Sequence, residues 1–194
     1  VWWLAVIPAY LVGTFPSADL VASASGVDIH VSGSGNPGAS NVTRTLGWRK
    51  GVVVFLLDML KGVVAALVGL WLGGRAGGHA LGLAAVVGHV FPVTRRFRGG
   101  KGVASAGGVT LTLHPIVGLC VLAIWFGLSR ITRKAAIASI VAVVATPIGV
   151  AISGRPAWEV VTMAGLAALL IVRHAGNIKR MVRREELSLD RSAA

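Results

Sequence analysis

Apolar runs of membrane-spanning length alternate with short polar gaps along most of the chain, and that alternation predicts helices. A spanning helix takes about 20 apolar residues, from a hydrocarbon thickness of ~30 Å and a rise of ~1.5 Å per residue. The first run covers 2–22, with Trp2, Trp3 and Tyr10 as candidate interface anchors. The second, 51–72, is long enough but carries Asp58 and Lys61; the third covers 76–94. Between Val103 and Leu128 lie 26 residues interrupted by His114-Pro115, too many for one straight span and few for two. Proline suits a helix start and breaks a helix interior, so the pattern predicts a short helix over 103–113 and another over 115–128. Runs at 135–152 and 156–172 precede a polar tail. The predicted fold is all-α: a polytopic integral membrane protein with seven transmembrane helices, forming one membrane-embedded domain over 1–194 with no soluble domain.

Composition agrees. The chain is 55% hydrophobic and only 13% charged, with 26 glycines; a soluble domain is nearer 45–50% apolar and about 25% charged. Glycine allows helices to approach closely in a membrane. The single Cys120 lies in an apolar run, which excludes a disulfide framework. No basic residues precede the first apolar run, so it is expected to be a retained span and not a cleaved signal peptide.

The basic residues then orient the spans. The first 43 residues hold no Lys or Arg. With seven spans, sixteen basic residues fall in one set of gaps: Arg44, Arg49 and Lys50; Arg95, Arg96, Arg98 and Lys101; Arg130, Arg133 and Lys134; and Arg173, Lys179, Arg180, Arg183, Arg184 and Arg191. The other set holds two, Arg75 and Arg155. Cytoplasmic loops carry such an excess, which places the N-terminus outside, the tail inside, and the loops 23–50, 95–102 and 173–194 on the cytoplasmic face. The net charge of +12 therefore reads as loop charge; no basic block with interleaved aromatics points to nucleic acid.

Three constellations share that face. The first runs from Ser32 to Arg44 and holds Gly33, Ser34, Gly35, Asn36, Gly38, Ser40 and Asn41. Glycines let successive N–H groups converge into an anion nest, and Arg44 adds a planar fork suited to phosphate. The second centres on Gly99-Gly100-Lys101-Gly102 ahead of a predicted helix, combining N–H groups, helix dipole and ammonium. It lacks the spacing of a Walker loop. The third is Arg173-His174-Ala-Gly-Asn177-Ile-Lys-Arg180, with His174 and Asn177 three apart and so on one helix face. Asp58 and Lys61, also three apart, are expected to pair and orient a loop, with Gly62 allowing close packing. His89 is placed to brace the second loop, and His79 and His114 are expected at the outer interface. Ser139 is a candidate substrate contact, although back-bonding to its own helix competes for the hydroxyl. No Cys/His cluster or carboxylate pair has metal-ligand spacing, so no metal and no cofactor is expected.

These residues describe a pocket for phosphate at a membrane surface, with room for an acyl chain between helices. They do not choose among acyl transfer from acyl phosphate, acyl transfer from a thioester, and transport of an organic phosphate. A thioester-dependent His-x-x-x-x-Asp motif is missing at all five histidines. A transporter would place its polar motifs near the midplane.

The chain resembles the PlsY family of membrane glycerol-3-phosphate acyltransferases, which use acyl phosphate as donor. The resemblance rests on Gly13-Thr-Phe-Pro16, Gly33 to Arg44, Asp58-Met-Leu-Lys-Gly62, Gly88-His-Val-Phe-Pro92 with Phe97 to Ala104, and Arg173 to Arg180, in order and covering nearly the whole chain. It implies seven spans with the motifs on the cytoplasmic side of the bacterial plasma membrane. It also implies acyl transfer to the 1-hydroxyl of glycerol 3-phosphate, giving lysophosphatidate and phosphate, the first step of phospholipid synthesis. The family's essential Ser and Arg fall on Ser34 and Arg44. Its glycine-rich glycerol-3-phosphate loop falls on Gly99, Gly100, Lys101 and Gly102, and its His and Asn fall on His174 and Asn177. The family often has Arg where His30 stands, Lys where Arg98 stands and Gly where Arg184 stands.

Overall fold

A computed structural model describes residues 2–190; Arg191, counted above among the basic tail residues, lies outside them. Among the described residues all regular structure is helical, with no strand. In order they form α1 (Val6–Gly13), α2 (Ser17–Ser23), α3 (Ala39–Leu46), α4 (Trp48–Val90), α5 (Val103–Leu113), α6 (Pro115–Thr132), α7 (Ala135–Ile152), α8 (Ala157–Arg173) and α9 (Ala175–Val182). Several are long and apolar enough to cross a membrane. Ile7, Trp71, Ile116, Ile131, Ile152 and Val172 lie exposed on the bundle's outside, a belt that suits lipid contact.

The predicted helices over 103–113 and 135–152 match α5 and α7 residue for residue, and the one over 115–128 runs on to Thr132. Two expectations need correction and one is borne out. The first span is not one helix: it breaks between α1 and α2 at 14–16, where Pro16 has no N–H to donate and restricts the residue before it. The second and third runs, by contrast, are two helical arms of α4, as the gap between them predicted: the backbone leaves helical values at Gly73 and Gly74, with φ/ψ of −150°/25° and 56°/−150°. Only glycine takes the second of these without strain. The chain therefore reverses there, and the arms 48–72 and 75–90 pack against each other closely enough that a Cβ on Gly69 would strike the Gly77 carbonyl. The polar tail, finally, contains α9, bent 57° away from α8 at His174.

Small residues set the packing. A Cβ on Gly62 would strike the Ser105 carbonyl, and one on Gly108 the Met59 carbonyl, so the first arm of α4 and α5 touch backbone to backbone. Ser105 Oγ donates to the Asp58 carbonyl at 2.9 Å along the same seam. The largest buried cluster joins Val86, Val90, Val109, Leu113, Met163 and Leu170 from α4, α5 and α8. Those three elements carry the polar loops to one end of the bundle.

Candidate active site

Asn41 organises the first loop. Its Oδ1 accepts from the Ser34 N–H at 2.8 Å and from Arg44 Nη1 at 3.4 Å, while its Nδ2 donates to the carbonyls of Ile29 (3.2 Å) and Ser32 (2.9 Å). The amide is 2% exposed, and its hydrogen bonds are spent inside the protein. Gly33 and Gly35 hold positive φ, 57° and 68°, which lets the chain wrap this amide. Arg44 follows one turn along α3 and shares the pocket-facing side.

The second loop is braced by His89, as its position predicted. The Gly100 N–H donates to the His89 carbonyl at 3.2 Å, and a Cβ on Gly100 would strike the His89 ring. Behind it, Lys61 bonds Asp58 Oδ1 at 2.6 Å and donates to the Phe15 carbonyl at 2.7 Å. His89 Nδ1 stands 3.5 Å from the same carboxylate. The expected Asp58–Lys61 pair is thus a buried structural clamp tying α4 to the break after α1. Gly102, at φ 84°, caps α5 and turns Lys101 toward the third constellation, where its ammonium bonds Asn177 Oδ1. Asn177 Nδ2 in turn donates to Glu186 Oε1 at 2.7 Å, and Arg180 Nε donates to Glu186 Oε2 at 3.1 Å.

These groups surround one cavity of about 80 Å³, several times the ~10–15 Å³ a single water needs on this scale. Ser34, Asn36, Gly38, Ser40, Asn41, Arg44, Lys101, Gly102, Ser139, His174 and Asn177 all line it. Gly35 and Gly99 do not; with Asn36, Arg98 and Arg173 they border a neighbouring solvent-facing depression. Gly33 and Gly100 act from behind, through backbone shape. Ser139 departs from the back-bonding alternative: its Oγ accepts from Trp125 Nε1 at 2.9 Å and faces the cavity. Phe55, Trp125, Ala135 and Ala136 make an apolar wall opposite the charges.

Sequence reasoning missed Glu186 as a site residue. It is 8% exposed and is the carboxylate set among Arg44, Lys101 and Arg180. A pair of acids, Glu185-Glu186, inside an otherwise basic tail was the available signal. The tail continues as a strap: Arg44 Nε donates to the Ser188 carbonyl at 2.7 Å, and the Leu189 N–H to the Arg133 carbonyl at 2.7 Å. His79 and His114 lie at the end of the bundle away from the pocket, in keeping with the expectation, but are not exposed at an interface. Both are 2% exposed, packed with Glu159 and Arg75 at the far end of the bundle, because α5 stops where α8 begins.

Protonation follows from this geometry. Burial pushes Lys101 down to about 8, opposed by Glu186 and helped by Arg180, Arg44 and Arg173. Burial pushes His174 down to about 4, with Lys101 and Arg173 adding to the shift and the Leu170 carbonyl and Glu186 opposing it. His174 Nδ1–H donates to that carbonyl at 2.7 Å, leaving Nε2 as the acceptor of a neutral ring. The pocket thus offers the cations Arg44, Lys101 and Arg180, the Glu186 carboxylate set among them, the Asp58 carboxylate already held by Lys61 with His89 beside it, and the His174 imidazole as acceptor. That balance suits a dianionic phosphate next to a hydroxyl.

Comparison with known proteins agrees with this chemistry. Residues 3–184 match the family model described as glycerol-3-phosphate acyltransferase. Glycerol-3-phosphate acyltransferase of Geobacter sulfurreducens is 45% identical over 175 residues, covering 89% of this chain and 90% of that protein. The Aquifex aeolicus protein of that name is 40% identical over 179 residues, covering 91% and 93%. Two crystal structures of PlsY, an integral membrane glycerol 3-phosphate acyltransferase, align at 39% identity over 96% of this chain and 94% of theirs. Their TM-scores are 0.92 for the glycerol 3-phosphate form and 0.89 for the lysophosphatidic acid form.

Proposed function

The chain belongs to the glycerol-3-phosphate acyltransferase family, and on that premise we propose that it moves a fatty acyl group from acyl phosphate to the 1-hydroxyl of glycerol 3-phosphate. The products are lysophosphatidate and inorganic phosphate, at the first step of phospholipid synthesis. The observation that carries this reading is the convergence of Arg44, Lys101, His174 and Asn177, from three separate loops, on one cavity with an apolar opposite wall. The protein acts as a single multi-pass domain of the bacterial plasma membrane, with seven spans, its N-terminus outside and the pocket facing the cytoplasm.

Acyl phosphate is already activated, because phosphate is a good leaving group, so no covalent enzyme intermediate is required. Ser34, Arg44, Lys101 and the glycine-loop N–H groups hold the phosphates and stabilise charge as the acyl–oxygen bond breaks. Asn36, Ser40 and Ser139 supply neutral donors and acceptors around the glycerol. Holding the donor carbonyl against the acceptor hydroxyl contributes proximity. The hydroxyl proton passes to the donor's own phosphate. His174, near 4, is a weak base at neutral pH and serves instead as the Nε2 acceptor that points the hydroxyl at the carbonyl. The His30–Asp19 pair makes no hydrogen bond to Ser34 among the described residues, so Ser34 acts as a hydrogen-bond donor to phosphate, not a nucleophile.

The test is phosphate release by purified protein in lipid given palmitoyl phosphate with and without glycerol 3-phosphate, with acyl-CoA as parallel donor and lysophosphatidate identified by mass. Release that needs both acyl phosphate and glycerol 3-phosphate is the expected result. Conversion with acyl-CoA alone overturns the donor assignment, and no conversion with either overturns the reading.

A further inference from the structure

At the end of the bundle away from the anion pocket, three elements bring together side chains that acyl transfer does not use. His79 comes from the second arm of α4, His114 from the corner between α5 and α6, and Glu159 from the first turn of α8. All three are buried, and one ligand atom from each lies within 4.8 Å of the others. We propose that His79, His114 and Glu159 bind one divalent transition-metal ion of the zinc or cobalt type.

The spacing fits such an ion. Metal–nitrogen and metal–oxygen bonds of ~2.0–2.1 Å in tetrahedral geometry set neighbouring ligand atoms about 3.4 Å apart. The two Nε2 atoms are 3.4 Å apart, and His114 Nε2 is 3.7 Å from Glu159 Oε2. The His79 tautomer is also set. Its Nδ1–H donates to the Arg75 carbonyl at 2.8 Å, so Nε2 presents a lone pair inward, the outer-partner arrangement typical of metal-bound imidazole. His114 Nδ1 is buried with no hydrogen-bond partner among the described residues, so this ring keeps polar capacity that the fold leaves unused. Two imidazoles and a carboxylate suit zinc, cobalt, nickel or copper and disfavour magnesium or calcium.

Arg75 is the competing cation. It grips Glu159 through Nε and Nη2, the latter 2.5 Å from Oε2, and Nη1 and Nη2 each reach the Leu113 carbonyl at 3.2 Å. A carboxylate offers about four acceptor directions, and Arg75 takes one on each oxygen, which leaves Oε2 able to serve the metal as well. Arg75 is partly exposed, and Trp158, half-exposed, stacks edge-on to His79 at 5.0 Å, so the approach from that end is a short one. A bound ion ties together the far ends of α5 and α8, whose near ends hold Lys101 and His174. The role is a structural cross-link with an open fourth position, and it stands independently of the acyl-transfer reading.

The experiment uses tag-free protein in nanodiscs, stripped with chelator and titrated with Co²⁺ and Zn²⁺. One equivalent of Co²⁺ is expected to bring the visible absorption of a tetrahedral or five-coordinate site, and one equivalent of Zn²⁺ a rise in Tm. His79→Gln and His114→Gln should each weaken binding at least about tenfold, while His30→Gln, on the other face, leaves it unchanged. Zinc-edge X-ray absorption on the wild-type protein should show two imidazoles in the coordination shell, which tests the site even where a variant fails to fold. No cobalt spectrum and no Tm shift overturn the proposal. So does binding that survives the double variant, or a zinc shell without imidazole.

Discussion

Lys101 is the residue whose charge is most finely balanced. Buried beside Arg44, Arg173 and Arg180, it titrates at about 8, so the ammonium that holds phosphate is lost just above neutrality. The substrate's own second phosphate ionisation lies near ~6. The dianion therefore forms as pH rises through about 6, and the lysine loses its proton as pH rises through about 8. Affinity for glycerol 3-phosphate should peak between the two and fall on the alkaline side; titration calorimetry from pH 5.5 to 9.5 checks this, and an affinity flat to pH 9.5 would remove Lys101 from phosphate binding. Arg44 is different in kind: it stays charged, and its value is the fork, with Nε on the Ser188 carbonyl, Nη1 on Asn41 Oδ1 at 3.4 Å and Nη2 left for the cavity it lines. Arg44→Lys loses one or two charge-assisted hydrogen bonds, about 1.5–3 kcal/mol, and should raise KM some 10–100-fold. For His174→Asn the two roles diverge. Removing a general base costs ~10²–10⁴ in rate; removing a hydroxyl acceptor should cost about tenfold and leave the shape of the pH–rate profile intact.

At the scale of elements, the two backbone seams matter more than propensity. Gly108→Leu drives a side chain into the Met59 carbonyl across the α4–α5 contact. Overpacking of this kind costs about 1–3 kcal/mol, so the variant should melt several degrees lower in detergent. Arg184 offers the opposite change. It holds φ 61° in the turn after α9, a conformation that costs a non-glycine residue roughly 1–2 kcal/mol. Arg184→Gly should therefore raise Tm, and a fall would show that its side chain is more valuable than the relief of strain. The turn also explains why a glycine is usual at that position in the family the sequence resembles. Local signals sufficed for α5, α6 and α7 because Pro115 and the apolar periodicity are themselves local. The Gly73-Gly74 reversal was legible as the gap between two apolar runs, and Pro16 carried the break in the first span without its being read. What stayed hidden depends on which distant chain closes over a residue. Asn41 reads as a ligand contact until Ile29 and Ser32 claim its amide, Ser139 as a back-bonded hydroxyl until Trp125 arrives, and Glu186 as a solvated tail acid until Asn177 and Arg180 enclose it.

For the whole molecule, the short α5 is the key to how a water-soluble phosphate ester meets a lipid-borne acyl donor. Eleven residues rise only ~16 Å, about half a bilayer core. Yet the C-terminal end of α5 reaches the far end of the bundle, where the Leu113 carbonyl meets Arg75 at 3.2 Å. The shortfall is therefore all on the other side: the Gly99–Gly102 loop dips into the bundle before α5 starts. Asp58 gives the depth independently, since it lines the pocket ten residues, or about 15 Å, along α4 from Trp48. The cations thus lie recessed among the helices, so in the proposed reaction a donor can keep its tail against the apolar helix faces while its phosphate reaches Arg44 and Lys101. The proposed reaction needs the pocket to open to the cytoplasm, the orientation expected from the sixteen-to-two division of basic residues over seven spans. In a variant with Cys120 replaced, single cysteines at Ser153 and Arg98 separate the possibilities. An impermeant maleimide added outside intact cells should label the cysteine at 153 and leave the one at 98 unmodified until the membrane is breached. The reverse pattern would turn the pocket outward and remove the cytoplasmic supply of glycerol 3-phosphate on which the proposed reaction depends.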